Sequence, residues 1–159
     1  MSKDKIRHDL RVLRVNVRSV RNRDVELLSR CFKYTRAPKV HVYRSQLHLN
    51  ERATTHIVEW LKYELDAFVV QPDTKTDAAM YEDTLDVIIV PVLGFDTHGN
   101  RIGMGGGWYD KFLAMHPNAL KVGLAYDECA LQKTEPEPHD VRLDYIITPT
   151  RLIDTHQLQ

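Results

Sequence analysis

A near-continuous apolar run from Leu85 to Val92, reading LDVIIVPV, constrains the fold of this chain more than any other segment. Such a run is typical of a strand that is covered on both faces, as strands are in parallel sheets flanked by helices. Shorter extended segments alternate with helical patterns along the rest of the chain, which predicts an α/β fold with a mostly parallel central sheet. These segments are Val40–Tyr43, Ala67–Val70, Val122–Ala125 and Tyr145–Thr148.

Helical periodicity is clearest near the N-terminus, where apolar residues recur at spacings of three and four. The pattern predicts an amphipathic helix from Lys3 to Val20 with Ser2 as its N-cap. Its predicted apolar stripe consists of Ile6, Leu10, Leu13, Val17 and Val20. A shorter helix is predicted through Leu27 and Leu28. Another is predicted after Asn50, with Glu51 in its first turn, where a carboxylate suits the helix dipole.

The length of 159 residues and the hydrophobic fraction of 43% fit one domain spanning residues 1–159. No run approaches the roughly 18 apolar residues of a membrane-spanning helix, and the first residues, MSKDKIRHDL, do not resemble a signal peptide. We therefore expect a cytoplasmic protein without a membrane partner. Cys31 and Cys129 lack the spacing of a metal site, so we expect both thiols to be reduced and packed.

The net charge of zero conceals an asymmetry between the two parts of the chain. Residues 1–44 contain 13 Lys/Arg and 4 Asp/Glu, whereas the remainder contains 9 and 18. A basic arm of this kind could contact nucleic acid, lie against the acidic body or supply cations to a nucleotide site. The segment from Lys3 to Arg30 lacks the interleaved aromatic residues that stack on single-stranded bases. We expect no nucleic-acid partner.

The segment Phe95–Lys111, FDTHGNRIGMGGGWYDK, carries five of the seven glycines. Glycines allow backbone amides to converge on an anion, and a helix is predicted to begin near Trp108, where its free amides would also favour phosphate. The spacing is that of neither a P-loop nor a dinucleotide-binding loop. Arg101 could supply a fixed cation and Asp110 a carboxylate for Mg²⁺, a combination that indicates phosphoryl transfer. The alternative is an ordinary tight connection between two elements.

The same segment resembles the signature of the 5-formyltetrahydrofolate cyclo-ligase family, also called 5,10-methenyltetrahydrofolate synthetases. KDKIR at Lys3–Arg7 resembles that family's N-terminal helix, and Tyr43 followed by Glu51–Thr54 resembles its Tyr…Glu-x-x-Thr segment. VGLAYDECAL and EPHDVRLDYIIT, within Val122–Thr148, resemble its closing segments. The resemblance implies a single Rossmann-like three-layer α/β domain in a compact, short version. It also implies the use of ATP and Mg²⁺ to convert 5-formyltetrahydrofolate into 5,10-methenyltetrahydrofolate, with ADP and phosphate as products.

The resemblance also assigns roles to individual residues. Arg101 and Glu51 would be catalytic, and Asp110 would hold Mg²⁺ together with Asp140. The ATP-binding residues would be Lys3, Arg7, Arg101, Gly103, Gly105, Gly106, Gly107, Trp108 and Tyr109. The folate substrate would contact Glu51, Met104, Trp108 and Tyr109. Each role has a structural alternative: Lys3 and Arg7 could face solvent, Glu51 could be only a first-turn charge, Asp110 could cap the following helix, and Asp140 could bond its own loop.

Three departures from the family pattern concern the folate side of the predicted site. The stretch Gln71–Thr84 is shorter than the corresponding part of the family, and Trp108 replaces a usual tyrosine. Met104 stands where the family carries an aromatic or basic residue. The alternative function is therefore a catalytically degenerate protein that still binds nucleotide or folate. We expect a monomer, with a dimer as the alternative.

Overall fold

The structure is a computed structural model that describes residues 2–18, 21–33, 37–71, 78 and 84–157. These residues form four α-helices and eight β-strands. The helices are α1 (Lys3–Val15), α2 (Asp24–Ser29), α3 (Thr55–Glu64) and α4 (Trp108–Ala114). The strands are β1 (Lys39–Val42), β2 (Phe68–Val70), β3 (Val87–Pro91), β4 (Gly94–Phe95), β5 (Arg101–Ile102), β6 (Leu120–Leu124), β7 (Tyr145–Ile147) and β8 (Leu152–Asp154).

Six strands form the central sheet in the order β2-β1-β3-β6-β7-β8. All neighbouring pairs are parallel except β7 and β8, which are antiparallel. The prediction of a mostly parallel α/β sheet is confirmed, and the apolar run at Leu85–Val92 contains its central strand β3. The chain turns one way from β1 to β2 and the other way from β3 to β6, so the topological switch point lies between β1 and β3.

Successive side chains of β3 pack in two different buried clusters, one on each face of the sheet. Val87 and Ile89 pack in one buried cluster with residues of α2 and α3. Ile88 and Val90 belong to another cluster that contains Phe112 of α4. Because successive strand side chains point to opposite faces, α2 and α3 cover one face of the sheet and α4 covers the other. The domain therefore has the three layers that were predicted.

Helix α1 lies over the carboxyl ends of the strands rather than on either face. Its Leu10 joins a third buried cluster with Leu93 and Tyr126, which follow β3 and β6, and with Cys129. Ser2 caps the helix as predicted, since its hydroxyl accepts a hydrogen bond from the Lys5 amide at 3.3 Å. None of the helices that the structure describes is long and apolar enough to cross a bilayer.

The predicted apolar stripe of the N-terminal helix is partly wrong. The helix ends at Val15, so Val17 lies beyond it, and Val20 is outside the described residues. Leu13 is 41% exposed, whereas the neighbouring Arg14 is only 3% exposed. The surface beneath this end of the helix contains polar groups. Hydrophobic periodicity therefore predicted the wrong residue on the inner face: Leu13 instead of Arg14.

Three further local predictions need correction. Helix α3 begins at Thr55, so Glu51 precedes it in a loop, and Asn50 ends a short 3₁₀ turn in a left-handed conformation (φ 54°). The predicted buried strand at Ala67–Val70 is an edge strand with Phe68 65% exposed. The antiparallel strand β8 was not predicted. Most of the loop Gln71–Thr84 lies outside the described residues.

A small hairpin formed by β4 and β5 precedes the glycine loop. Asp96 organises its turn, because the Asp96 carboxylate accepts hydrogen bonds from the amides of His98 and Asn100 and from Thr134. Although burial acts in the opposite direction, these donors hold the pKa of Asp96 below its usual value. The hairpin therefore fixes the start of the loop that leads into α4.

Candidate functional site

A cleft of about 910 Å³ opens at the carboxyl ends of the parallel strands. Its lining includes Tyr43, which follows β1, and Pro91 and Leu93 at the end of β3. The cleft thus lies at the switch point between β1 and β3, where open α/β sheets place their ligands. Helix α1 and the loop between β5 and α4 form its other walls.

All of the site residues that the sequence predicted line this one cleft. The N-terminal helix, the loop before α3, the glycine loop and the loop before β7 each contribute to it. The predicted residues found there are Lys3, Arg7, Glu51, Arg101, Gly103, Met104, Gly105, Gly106, Gly107, Trp108, Tyr109, Asp110 and Asp140. The structure thus brings these residues together from distant parts of the chain, while their individual roles remain predictions.

Arg101 is a buried cation at the base of the glycine loop. Its side chain is 6% exposed, and its guanidinium lies 3.6 Å from a carboxylate oxygen of Asp110 and over the ring of Tyr109. Burial lowers the pKa of Arg101, and the Asp110 charge opposes that shift. A Cβ on Gly103 would lie 2.7 Å from Nη1 of Arg101. Glycine at position 103 therefore leaves the space that the guanidinium occupies.

The glycine loop is held from the outside by arginines of α1. Arg7 donates a hydrogen bond to the carbonyl of Gly103 at 3.2 Å, and Arg11 donates to the carbonyl of Met104 at 3.1 Å. Gly105 has φ 106°, a conformation that favours glycine. Among the described residues, no acceptor pairs with the amides of Gly105 and Gly106, so both remain available to a ligand.

Carboxylates cluster at the end of the cleft opposite the loop before α3. Ligand atoms of Glu137, His139 and Asp140 lie within 4.8 Å of one another, and Lys3 Nζ is 3.2 Å from both Glu137 and Asp140. Although burial opposes the shift, the Glu137 amide and Lys3 lower the pKa of Asp140. Oxygen donors of this kind fit Mg²⁺. Asp110 accepts a hydrogen bond from the amide of Val141, next to Asp140, at 3.3 Å, so the two predicted metal ligands lie at the same end.

An aromatic wall, formed by Trp108, Tyr109 and Phe112 of α4, borders the cleft. The ring of Trp108 stacks on Phe112 with centroids 4.8 Å apart. The hydroxyl of Tyr109 lies 3.2 Å from Nε2 of His41 on β1, and burial is the main cause that raises the pKa of Tyr109. The Tyr109 hydroxyl is therefore neutral and fixed in position.

Glu51 and Met104 occupy different positions at the cleft. A carboxylate oxygen of Glu51 accepts a hydrogen bond from the Gln46 amide at 2.7 Å, and the residue is only 7% exposed. This contact fixes Glu51 as part of the loop and not as a first-turn residue of α3. Met104 is 41% exposed, and its sulfur lies 3.9 Å from Nη2 of Arg14.

Sequence reasoning missed Arg14 and His41 as residues of this region. Arg14 lines the cleft, and a signal for it was present, because it lies on the same helical face as Lys3 and Arg7. His41 stands inside a short apolar strand, and nothing in the local pattern distinguishes it from a core residue. Only its contact with the Tyr109 hydroxyl in the structure shows that it lies next to the cleft.

The fold and cleft together define a class of protein: a parallel α/β domain whose switch-point cleft is lined by a glycine loop, buried cations and carboxylates. Residues 47–149, well over half of the chain, match the sequence model of the 5-formyltetrahydrofolate cyclo-ligase family. The chain belongs to this family. The resemblance drawn from the sequence is thereby confirmed.

Individual relatives agree with this assignment. The chain is 40% identical over 70 residues to the 5-formyltetrahydrofolate cyclo-ligase of Escherichia coli K12, covering 43% of this chain and 38% of that protein. It is 33% identical over 108 residues to the Haemophilus influenzae protein of the same name, covering 62% and 56%. The chain therefore spans only about a third to a half of the length of these relatives in the matched stretches.

Solved structures extend the agreement in fold to almost the whole chain. A 5,10-methenyltetrahydrofolate synthetase from Mycoplasma pneumoniae superposes with a TM-score of 0.76 at 20% identity, covering 98% of this chain and 99% of that chain. The NMR structure of the Aquifex aeolicus 5,10-methenyltetrahydrofolate synthetase gives a TM-score of 0.74 at 21% identity, covering 98% and 93%. At these identities the likeness concerns the fold.

Proposed function

We propose that the protein is an ATP- and Mg²⁺-dependent 5-formyltetrahydrofolate cyclo-ligase. The observation that carries the proposal is the meeting, in one cleft of a member of this family, of Arg101, the glycine loop and the carboxylates Asp110 and Asp140. The fixed cation and free amides suit a phosphoryl group, and the carboxylates suit its metal. The second substrate, 5-formyltetrahydrofolate, is inferred from membership of the family.

In the proposed reaction, the formyl oxygen of the folate attacks the γ-phosphoryl group of ATP and releases ADP. Phosphorylation turns that oxygen into a good leaving group, so the N10 nitrogen attacks the formyl carbon, the five-membered ring closes and phosphate departs. Arg101 and the amides of Gly105 and Gly106 stabilise the charge on the transferred group. Lys3 and Arg7 hold the remaining phosphates of ATP.

The carboxylates of Asp110 and Asp140 would hold Mg²⁺, which neutralises phosphate charge when it is bound. Lys3 lies 3.2 Å from Asp140, so the ammonium group and the metal would compete for that carboxylate. Glu51, Met104, Trp108 and Tyr109 orient the folate on the other side of the cleft. Positioning of two substrates is the main task of this site, because the chemistry itself needs no covalent intermediate on the protein.

A spectrophotometric assay tests the proposal. Purified protein with 5-formyltetrahydrofolate, ATP and Mg²⁺ is expected to produce the methenyl chromophore together with equimolar ADP, and omission of ATP or chelation of Mg²⁺ is expected to stop it. Arg101→Ala is expected to abolish turnover while circular dichroism shows a folded protein. Absence of product at high protein concentration, with ATP or folate still bound, would instead identify the catalytically degenerate binding protein.

A further inference from the structure

Helix α1 presents one face to the cleft, and that face carries cations at both of its ends. Lys3, Arg7, Leu10 and Arg14 follow one another at helical spacings of four, three and four, so they lie on a single side. Leu10 packs into the buried cluster below the helix. Lys3, Arg7 and Arg14 all line the cleft, and Arg14 is the most deeply buried of the three.

Arg14 is a buried cation without an anionic partner. It is 3% exposed, and within the part of the chain that the structure describes it forms no ion pair and its Nε has no hydrogen-bond partner. Among the described residues, the one hydrogen-bond acceptor of its Nη2 is the sulfur of Met104, at 3.9 Å, and a thioether is a weak acceptor. A guanidinium that is removed from water without a counter-charge destabilises the folded protein.

The groups around Arg14 do not supply that counter-charge. Burial raises the pKa values of Tyr126 and Cys129, that of Cys129 to about 11, although the Arg14 charge opposes both shifts. Both groups are therefore neutral at physiological pH. The carbonyl of residue 14 accepts a hydrogen bond from Asn50 at 2.7 Å, but any side chain at this position would preserve that backbone contact.

We propose that Arg14 binds an anionic oxygen of a polyphosphate in the cleft. Arg14 contacts Met104, and Arg7 lies within 3.7 Å of the place of a Cβ on the next residue, Gly105. The two arginines thus flank the loop whose Gly105 and Gly106 amides have no acceptor among the described residues. A guanidinium offers several donors in a fork that suits phosphate. The choice of polyphosphate over a substrate carboxylate rests on the function proposed above.

Calorimetric titration with inorganic tripolyphosphate tests the inference. Arg14→Met retains the apolar stem and removes the charge, and it is expected to weaken binding by about tenfold or more, the usual effect of losing a charge-assisted hydrogen bond. Arg18→Met is the matched control, because Arg18 is exposed beyond the end of α1 and its loss changes the net charge equally. It is expected to leave binding within about twofold of the wild type, because salt screens exposed charges.

Thermal unfolding without any added anion provides the second readout. Because Arg14→Met removes an unpaired buried charge, its midpoint is expected to equal or exceed that of the wild type. If Arg14 only stabilised the packing of the fold, Arg14→Met would have a lower unfolding midpoint than the wild type. The combination of unimpaired stability and impaired tripolyphosphate binding therefore identifies a ligand-binding arginine.

Three outcomes would overturn the inference. They are wild-type affinity of Arg14→Met for tripolyphosphate, a lower unfolding midpoint of that variant without anion, and a loss confined to a parallel titration with the carboxylate polyanion tri-γ-glutamate. Failure of Arg14→Met to fold is the extreme case of a lower midpoint and overturns the inference in the same way. Arg14→Lys keeps the charge but loses the forked donors, and it is expected to lose tripolyphosphate affinity several-fold; unchanged affinity of this variant would also contradict the inference. Neither readout uses turnover, so a negative cyclo-ligase assay would leave the result for Arg14 standing.

Discussion

The imidazole of His41 is fully buried behind the aromatic wall of the cleft. Its ring lies 4.9 Å from that of Phe112, and its Nε2 is 3.2 Å from the Tyr109 hydroxyl. Burial, with a smaller contribution from His116, lowers the pKa of His41 to about 3. The residue is therefore neutral throughout the physiological range and acts as a fixed support for Tyr109.

The depressed pKa of His41 predicts a particular dependence of stability on pH. Above pH 6.5 the imidazole is neutral in both states, whereas between about pH 6.5 and 3 the unfolded state binds a proton that the folded state excludes. Stability is therefore expected to fall with decreasing pH in this window, by up to about 1.4 kcal/mol per pH unit from this residue. Urea unfolding of the wild type and His41→Gln between pH 7 and 4 measures the difference.

The control for this measurement is His8→Gln, which removes an exposed histidine of α1. Only His41→Gln is expected to flatten the dependence of the unfolding free energy on pH. Equal slopes for His41→Gln and the wild type would show that the imidazole is protonated in the folded protein, contrary to the expected effect of its burial.

At the scale of one element, the glycine loop combines residues with different requirements. Gly105 and Gly107 have positive φ values of 106° and 71°, so their backbone conformation favours glycine. Gly103 is required for another reason, since a Cβ there would meet the guanidinium of Arg101. A Cβ built on Gly106 would have no atom of the described residues within 4 Å, so a larger residue at this position would meet no steric clash.

Gly103→Ala and Gly106→Ala form a matched pair that tests this distinction. The added methyl group at position 103 displaces the end of the buried Arg101 side chain, so the unfolding free energy is expected to fall modestly. If Arg101 has the catalytic role proposed above, its displacement by about 1 Å is expected to reduce kcat by about ten- to a hundredfold. Gly106→Ala is expected to retain most of the activity. Steady-state kinetics of both variants provide the measurement, and equal losses would contradict the assignment.

At the scale of the whole molecule, the side chain of Arg52 connects parts that are distant in sequence. Its guanidinium forms a buried ion pair with Asp24 of α2, donates to the carbonyl of Ala125 after β6 and lies over the ring of Tyr126. Burial raises the pKa of Asp24, and Arg52 opposes this shift. One residue thus holds a helix on one face of the sheet to the end of a central strand.

Loss of Arg52 is therefore expected to destabilise the domain globally. Arg52→Met leaves the Asp24 carboxyl group buried without its partner, which costs about 3–5 kcal/mol. The double variant Asp24→Asn/Arg52→Met is expected to recover part of the loss. Arg23→Met breaks an exposed pair with Glu26 and is expected to change stability little. Chemical denaturation of the variants checks the prediction, which is wrong if Arg52→Met and Arg23→Met behave alike.

The sequence predicted what depends on local pattern. The apolar run around β3 indicated a parallel sheet, and the glycines before Trp108 indicated a loop that leads into a helix. The inner face of α1 was missed at Leu13 and Arg14, because hydrophobic periodicity assumes an apolar partner and this helix covers a polar cleft. Strand β8 is three residues long and pairs antiparallel, so neither its length nor its composition distinguished it from a loop.

The convergence of the site could be expected from the family resemblance but not from the local pattern. Lys3 and Asp140 are separated by most of the chain, and their contact depends on α1 lying across the ends of the strands. The contacts of Arg52 and His41 likewise depend on packing between elements, which no short-range pattern encodes. The family resemblance therefore predicted which residues form the site, whereas their contacts were found only in the folded structure.

The cluster beneath α1 has a consequence for the chemical durability of the protein. Cys129 is 1% exposed in the same cluster as Leu10, and burial suppresses the thiolate form on which oxidation depends. For oxidants and electrophiles to reach this sulfur, the helix must lift from the body, so we expect the rate of damage to follow the frequency of that opening. A ligand that bridges α1 and the glycine loop would thus also prolong the working life of the molecule under oxidative stress.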